Sequence, residues 1–147
     1  MSDEVAVLEA FVGIWDGEVT VRPAPNAEPV SMSGVSTARL LSGKWLVLEY
    51  RASTGFEGQG IYGWDPALGR YTGAWVDTAL SSIARSEGTW DAAARTLDLI
   101  TETTHAGRTI RYREDRAIVD DRTQIYRSLV PSPTGEFEMI RAVYRRR

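Results

Sequence analysis

The sequence predicts a closed antiparallel up-and-down β-barrel of about eight to ten strands, preceded by a short helix. Apolar and polar residues alternate in short segments from residue 13 to the end of the chain, and turns of hairpin length join almost every segment to the next. So many strands in one small sheet leave two exposed edges unless the sheet closes on itself. Closure into a barrel removes both edges, so a barrel is the expected architecture.

The helix is predicted over residues 3–11. Ser2 or Asp3 can cap the free amide groups of its first turn, and Gly13 ends it. The helical assignment depends on three apolar residues that recur at helical spacing, which are Val5, Leu8 and Val12.

The first predicted strand is the alternating segment WDGEVTVR. The segment RPAPNAEP after it predicts a loop, because a central strand could not contain its prolines. The further predicted strands are, in order, MSGVSTARLLSG, KWLVLEYRAS, FEGQGIYGWD, YTGAWVDT, SIARSEGTWD, RTLDLITET, RTIRYREDRAIV, TQIYRSLV and EFEMIRAVYRR. Turn-forming residues separate them, as in DPALGR, HAGR and PSPTG. No linker divides the series, so we expect a single domain over residues 1–147.

The net charge of the 147-residue chain is −3, and its only basic run is the RRR of residues 145–147. This charge balance gives no footprint for nucleic acid. No apolar run approaches the roughly 20 residues that span a bilayer, and the acidic N-terminus does not resemble a signal peptide. The chain contains no cysteine, which fits a reducing compartment. We therefore expect a cytoplasmic protein with neither nucleic-acid nor membrane partners.

The single histidine, His105, lies in the segment TTHAGR between two predicted strands. Turn-forming residues surround it, and no other histidine or carboxylate stands at a zinc-like spacing. We expect His105 to be a solvated turn residue, and we expect neither a metal nor another cofactor.

Aromatic residues and glycines share one face of two neighbouring predicted strands. That face comprises Phe56, Gly58, Gly60, Tyr62 and Trp64 on one strand, and Tyr71, Gly73, Trp75 and Asp77 on the next. Which face points inward is open, and so are two interpretations of it. Either the rings fill a closed core, or the glycines open a cavity for one small ligand. The ligand-binding candidates under the second interpretation are Tyr50, Tyr62, Trp64, Trp75 and Asp77.

Asp77 and Glu49 are the candidate catalytic carboxylates. Asp77 follows Trp75 on the same strand face, so it is either carried toward the interior or placed at the strand end as a cap of the turn DTALSS. We favour the cap, because a buried carboxylate is costly unless it is paired. Glu49 shares a strand face with Arg51 and is expected to be solvated. No nucleophile, phosphate-binding or dinucleotide-binding motif accompanies them.

The segments GIWDG, LLSGKWLVLEY, FEGQGIYGWD, YTGAWVDT and EGTWD together resemble a bacterial calycin-like (lipocalin-like) family, domain of unknown function 1579. The resemblance covers nearly the whole chain, although family members commonly carry tyrosine where Trp64 stands. It implies a closed barrel in which Trp15 plugs one end and an arginine of the last strand packs across the indole ring. Arg146 is the first candidate for that arginine and Arg145 the second. The resemblance implies no catalytic residue.

The same superfamily includes haem-binding barrels, but their glycine-rich first-strand motif is absent here, so we expect no haem. Three functions remain, in order of preference. The first is the binding of a small apolar or aromatic ligand inside the barrel. The second is a confinement-type enzyme, an isomerase or cyclase, with Asp77 or Glu49 as general acid or base. The third is a structural role as a homodimer that associates through a sheet face.

Overall fold

The computed structural model describes residues 2–147. One helix, α1, spans Asp3–Glu9. Ten strands follow it: β1 Gly13–Val21, β2 Val30–Leu41, β3 Trp45–Ala52, β4 Glu57–Asp65, β5 Arg70–Asp77, β6 Ala84–Asp91, β7 Thr96–His105, β8 Arg108–Asp120, β9 Thr123–Ser132 and β10 Gly135–Arg146. No helix among these residues is long and apolar enough to cross a membrane.

The ten strands form one closed barrel in which every strand pairs antiparallel with its neighbours in the sequence. The barrel closes where β1 pairs with β10, from Trp15 opposite Arg146 to Val21 opposite Ile140. Closure gives every strand a partner on both sides, which removes the exposed edges of an open sheet. The predicted barrel is confirmed, with the strand number at the upper end of the expected range.

The regular alternation of β10 is broken by one β-bulge, which lies between Glu138 and Ile140. Phe137 and Ile140 would lie on opposite faces of a regular strand, because successive side chains alternate. The bulge brings both of them to one face, where they oppose Val130 and Ser128 of β9.

Helix α1 is shorter than predicted, because it ends at Glu9 rather than at residue 11. The side chain of Ser2 caps it by accepting a hydrogen bond from the Val5 amide at 3.3 Å. Phe11 lies beyond the helix and is only 1% exposed, and its carbonyl accepts a hydrogen bond from Trp15 Nε1 at 3.0 Å. Beyond Glu9 the helix tightens into turns in which the amides of Phe11 and Val12 donate to the carbonyls three residues earlier, and there the Phe11 ring is buried and its carbonyl satisfies the indole N–H of Trp15.

Arg146 ties the last strand to the segment that leaves α1. Its guanidinium carbon lies 4.2 Å from the centroid of the Trp15 ring, and Trp15 is fully buried. The same guanidinium donates hydrogen bonds to the carbonyls of Val12, Ala10 (3.1 Å) and Asp121 (2.8 Å). One cation thus stacks on an indole and satisfies three carbonyls from two different segments.

Gly13 makes this arrangement sterically possible. It begins β1 with a φ of +138°, a conformation that residues with a side chain rarely adopt. A Cβ atom at this position would lie 2.6 Å from Nη1 of Arg146. The absence of a side chain at Gly13 therefore gives the guanidinium its place beside the Trp15 ring.

We expect the variant Arg146→Ala to lose about 3 kcal/mol of unfolding free energy, because it loses the cation–π contact and leaves buried carbonyls without donors. For a chain of this length that corresponds to a fall in Tm of roughly 6–12 °C, measured by thermal denaturation. The control is Arg108→Ala, which removes an exposed arginine at a hairpin and should change Tm by less than about 2 °C. Equal Tm values for the two variants would contradict a role of Arg146 in closing the barrel.

Candidate functional site

The inward face of the barrel changes from apolar to polar along the barrel axis. At the end next to α1, called here the covered end, the core contains Leu8, Phe11, Trp15, Leu46, Leu97 and Leu99. Farther along the barrel the buried side chains include Ser86, Thr101 and Ser128, whereas the buried polar residues Ser36, opposite Trp15, and Gln124, near the start of β9, lie closer to the covered end. At the opposite end, called the open end, β3 and β5 finish and β4 begins. Since buried polar groups need hydrogen-bond partners, the polar middle of the barrel is the candidate functional site.

Glu114 lies at the centre of a hydrogen-bond chain that crosses four strands. Its Oε1 accepts a hydrogen bond from Thr101 Oγ1 at 2.5 Å, and Thr101 in turn lies 2.7 Å from Ser86 Oγ. Its Oε2 accepts a hydrogen bond from the hydroxyl of Tyr126. Each carboxylate oxygen of Glu114 therefore has a donor, which offsets part of the cost of placing a charge inside the barrel.

Arg116 follows Glu114 on the same face of β8, directly opposite Tyr126 of β9. Its guanidinium carbon lies 4.5 Å from the centroid of the Tyr126 ring. None of the ion pairs among residues 2–147 includes Arg116. The interior thus contains one carboxylate with two donors and one cation without a carboxylate partner.

The pKa of every tyrosine is raised above its usual value near 10, and burial is the largest cause in each case. The affected residues are Tyr50, Tyr62, Tyr71, Tyr112, Tyr126 and Tyr144. Burial raises the pKa of Tyr50 and that of Tyr71 to about 12. The negative charge of Glu114 contributes to the raised pKa of three tyrosines, Tyr62, Tyr112 and Tyr126. All six hydroxyls are therefore protonated and able to donate at neutral pH.

Two buried polar atoms have no hydrogen-bond partner among residues 2–147, the hydroxyl oxygen of Tyr50 and Oε1 of Gln124. Tyr50 is 8% exposed and Gln124 is 2% exposed. The Tyr50 ring lies across Gly34 of β2, where a Cβ atom would approach its hydroxyl to 2.4 Å. The Tyr50 hydroxyl therefore lies against the inner wall of the barrel.

The predicted glycine-rich face does point into the barrel, and aromatic rings occupy the space next to its glycines. A Cβ atom at Gly58 would lie 2.2 Å from the ring of Trp75, and one at Gly73 would lie 2.1 Å from the ring of Tyr62. The two glycines allow these rings to lie flat against the sheet. Next to the two glycines the space is filled by the chain's own side chains, as in the first of the two interpretations of this face.

Asp77 is held at the end of β5 by three donors. Its Oδ1 accepts hydrogen bonds from the amides of Ala79 (2.8 Å) and Leu80 (3.0 Å), and its Oδ2 accepts one from Trp75 Nε1 at 2.8 Å. Asp77 thus caps its turn, as the favoured interpretation expects, and also fixes the indole of Trp75. Since both oxygens of Asp77 are engaged by the turn and by the Trp75 indole, this geometry gives Asp77 a structural role.

Glu49 lies on the outer face of β3, where it is exposed and accepts a hydrogen bond from Gln59 at 3.2 Å. It does not face the interior. Of the two predicted catalytic carboxylates, neither is placed beside the polar middle of the barrel, because Glu49 is on the wrong face and Asp77 is at the strand end. Glu114 is the carboxylate that the fold places there.

Two clefts divide the predicted ligand-binding residues. A cleft of about 450 Å³ at the rim of the open end is lined mainly by outer-face residues of β3, β4 and β5, among them Glu49, and also by Tyr50, Gly58 and Asp77. A cleft of about 250 Å³ beside α1 is lined by Trp64, with Tyr71, Trp90 and residues of the helix. Tyr62 and Trp75 line neither cleft. The five candidates therefore do not form one site, and Tyr50 is the one that connects the open end with the interior.

The residues that the sequence analysis missed lie mainly on β8. Tyr112, Glu114 and Arg116 share the face that pairs with Thr101 and Leu97 of β7 and points inward. The segment RTIRYREDRAIV does indicate these residues, because every second position along it gives a tyrosine followed by two charges of opposite sign, Tyr112, Glu114 and Arg116. The other face of the same strand is also charged, so only the pairing register shows which set is inside.

His105 ends β7, is exposed, and lies opposite Arg108 in the hairpin that follows. Among the described residues, no group of three or more histidine, aspartate or glutamate side chains is placed to hold a metal ion.

A closed up-and-down barrel, covered by a helix at one end and polar in the middle, is the architecture of the calycin-like barrels. Within that class, the profile of the family described as "Protein of unknown function (DUF1579)" matches residues 2–146. The chain therefore belongs to the DUF1579 family. A search of curated protein sequences finds no match.

Two solved structures share the fold. Rv2717c from M. tuberculosis aligns with a TM-score of 0.76 and 12% identity, over 100% of this chain and 99% of its own. The S-type phycobiliprotein lyase CPES from Guillardia theta aligns with a TM-score of 0.58 and 9% identity, over 100% of this chain and 98% of its own. At these identities the likeness concerns the fold alone.

Because the pKa of every tyrosine is raised, we expect that no tyrosine of the native protein ionises near pH 10, the usual value for this side chain. A folded-state pKa above the unfolded value near 10 means that the stabilisation is complete below pH 10 and is lost as the pH rises toward about 12. We expect phenolate absorbance to stay low through pH 10 and to rise together with the loss of the native circular dichroism spectrum. A tyrosine that ionises near pH 10 in the native protein would contradict the buried positions described above.

Proposed function

We propose that the protein binds a small molecule with an apolar or aromatic body, which enters at the open end and reaches the polar middle of the barrel. The observation that carries this proposal is the Tyr50 hydroxyl, which is buried and unpartnered among residues 2–147 and belongs to a residue that lines the open-end cleft. A buried hydroxyl without a partner costs about 1–3 kcal/mol, and a ligand atom that accepts its hydrogen bond would remove that cost.

The open end provides apolar surface for the body of such a ligand. The ring centroids of Tyr50 and Phe56 lie 6.2 Å apart, and Phe56 and Trp75 are both partly buried against the core. Asp77 fixes the orientation of Trp75 through the hydrogen bond to its indole N–H. Rigid aromatic walls with a few convergent polar groups are typical of small-molecule sites.

The polar middle of the barrel provides the specific contacts. Tyr112 lies between the two regions, because the charges of both Glu114 and Asp77 contribute to its raised pKa. A ligand that passes Tyr50 would therefore meet protonated phenol hydroxyls before it reaches Glu114 and Arg116. Such hydroxyls donate to ligand oxygens at neutral pH.

Two tyrosine-to-phenylalanine variants separate ligand binding from stability. In Tyr50→Phe the removed hydroxyl has no partner, so we expect an unchanged or higher Tm and about three- to tenfold weaker binding of prodan, a neutral naphthalene ketone with polarity-sensitive emission. In Tyr71→Phe the removed hydroxyl bonds the Glu4 carbonyl at 2.8 Å, so we expect a lower Tm and unchanged prodan binding.

The measurements are fluorescence titration with prodan and thermal denaturation of the same samples. Native mass spectrometry of protein purified from its own host is a second readout, in which a bound small molecule is expected. Unchanged prodan affinity in Tyr50→Phe would remove the observation on which the proposal depends. Failure of the wild-type protein to bind prodan, together with a bare protein mass, would reject ligand binding in the barrel.

A further inference from the structure

We propose that the ligand of the barrel is an organic anion, an aromatic or apolar body with a carboxylate or similar acid group, whose charged oxygens bind Arg116. This inference depends on the proposed function, since it names the ligand class for the same interior site. It concerns residues that line neither of the two clefts, and it follows from which polar groups of the interior are already satisfied and which are free.

Arg116 is a charged group of the interior that has no acidic partner. It is only partly exposed, it faces the barrel interior opposite Tyr126, and none of the ion pairs among residues 2–147 includes it. Its one charge-related contact is with the face of the Tyr126 ring. A guanidinium presents its N–H groups as a planar fork that matches a carboxylate through two parallel hydrogen bonds.

Glu114 does not satisfy Arg116, although it is only two residues away on the same strand face. Its two oxygens accept hydrogen bonds from Thr101 and Tyr126, and no nitrogen of Arg116 lies within 4.0 Å of them. The carboxylate is therefore committed to neighbours on β7 and β9. The guanidinium of Arg116 thus keeps its positive charge and its N–H donors without an acid partner. The complementary ligand is one that supplies hydrogen-bond acceptors.

Arg116 shares the barrel interior with Tyr126 on the neighbouring strand and with the buried tyrosines of β4 and β10. Its positive charge acts on three tyrosines, Tyr62, Tyr126 and Tyr144, whose pKa values are nevertheless raised by burial, so their hydroxyls stay protonated. Tyr62 and Tyr144 come from β4 and β10, so donors approach from opposite walls of the barrel. An anionic oxygen near Arg116 could accept from the hydroxyls of Tyr62 and Tyr144 as well as from the guanidinium, whereas the Tyr126 hydroxyl already donates to Glu114.

Gln124 on β9, the strand that pairs with the strand of Arg116, is a second free group of the interior. It precedes Tyr126 by two residues on the same face of β9 and lies opposite Tyr144 of β10. It is 2% exposed, and its Oε1 has no partner among residues 2–147. A rotation of its amide by a half turn would present N–H donors to a bound anion, so Gln124 fits the same ligand class.

Three naphthalene probes of nearly equal size test the ligand class, since they differ only in charge. They are naphthoate (anionic), naphthylmethanol (neutral) and naphthylmethylammonium (cationic), and each displaces prodan from the full-length protein in a buffer without organic acids. We expect naphthoate to bind about tenfold or more tightly than naphthylmethanol, because charge-assisted hydrogen bonds are roughly twice as strong as neutral ones.

Variants of two arginines on opposite faces of β8 assign the preference to Arg116. Arg116→Gln should weaken naphthoate about tenfold and change naphthylmethanol by less than about twofold, and Arg116→Lys should keep part of the preference. Arg111→Gln is the matched control, because Arg111 is exposed on the outer face and its nearest acid is Glu102 at 3.4 Å. It should leave all three affinities unchanged.

The outcomes separate this inference from the proposed function. If wild type binds naphthylmethanol as tightly as naphthoate, or if Arg116→Gln and Arg116→Lys leave naphthoate affinity unchanged, the anionic ligand class is wrong and ligand binding stands. Tightest binding of naphthylmethylammonium would also overturn it and would assign recognition to Glu114. If wild type binds none of the probes, including prodan, the proposed function itself fails.

Discussion

The stacking of Arg146 on Trp15 is the interaction on which the closed barrel depends. A barrel has one strand pairing that no hairpin turn connects, the one between its first and last strands. Here that pairing, called the closing joint, is between β1 and β10. Arg146 adds to the backbone ladder of this joint a cation–π contact and hydrogen bonds to carbonyls on both sides of it. The hydrogen bond from Trp15 to the Phe11 carbonyl extends the same joint to the helix that covers the barrel end.

Apolar side chains pack the covered end, and the hydrogen-bonded polar groups lie mainly in the middle of the barrel. There the protein places a carboxylate, a guanidinium and most of its tyrosines in an environment where electrostatic interactions are stronger than in water. The hydrogen-bond chain from Ser86 through Thr101 to Glu114 and Tyr126 fixes these groups without an ion pair. A core built only for stability would be served better by apolar side chains of the same volume, since buried charges contribute little net stability. The polarity of this interior is therefore the physical reason to look for a ligand.

The sequence predicts the barrel well because alternation and hairpin turns are local properties. It predicts the extent of α1 less well, since after Glu9 the amides of Phe11 and Val12 bond to carbonyls three residues earlier, a tightening that the spacing of apolar residues does not mark. The β10 bulge also escapes prediction, because it shifts the inward face by one residue without a glycine or proline to mark it.

The candidate site was harder to predict than the fold, and β8 shows why. Its inward face carries Glu114 and Arg116, while its outer face carries Asp115, which pairs with Arg127 at 2.5 Å and is only 7% exposed. Both faces of one strand thus contain buried or half-buried charge, and no pattern of polarity can tell them apart. The sequence points to Asp77 because it follows Trp75 on one strand face, and to Glu49 only as a charge that shares a strand face with Arg51. The functional geometry instead joins residues that are adjacent only after β6, β7, β8 and β9 have paired.

The closing joint also has a consequence for the order in which the chain folds. Each hairpin of the barrel can form from a short stretch of chain, but the contacts of Arg146 with Val12 and Ala10 join residues 134 and 136 positions apart. The entropy lost in closing so long a loop must be offset before those contacts can contribute. During synthesis, β1 and β10 are therefore both unpaired edges until the end of β10 has emerged from the ribosome. The closed interior of this barrel forms only at that moment, so a chain interrupted before the end of β10 would have its sheet without an enclosed interior.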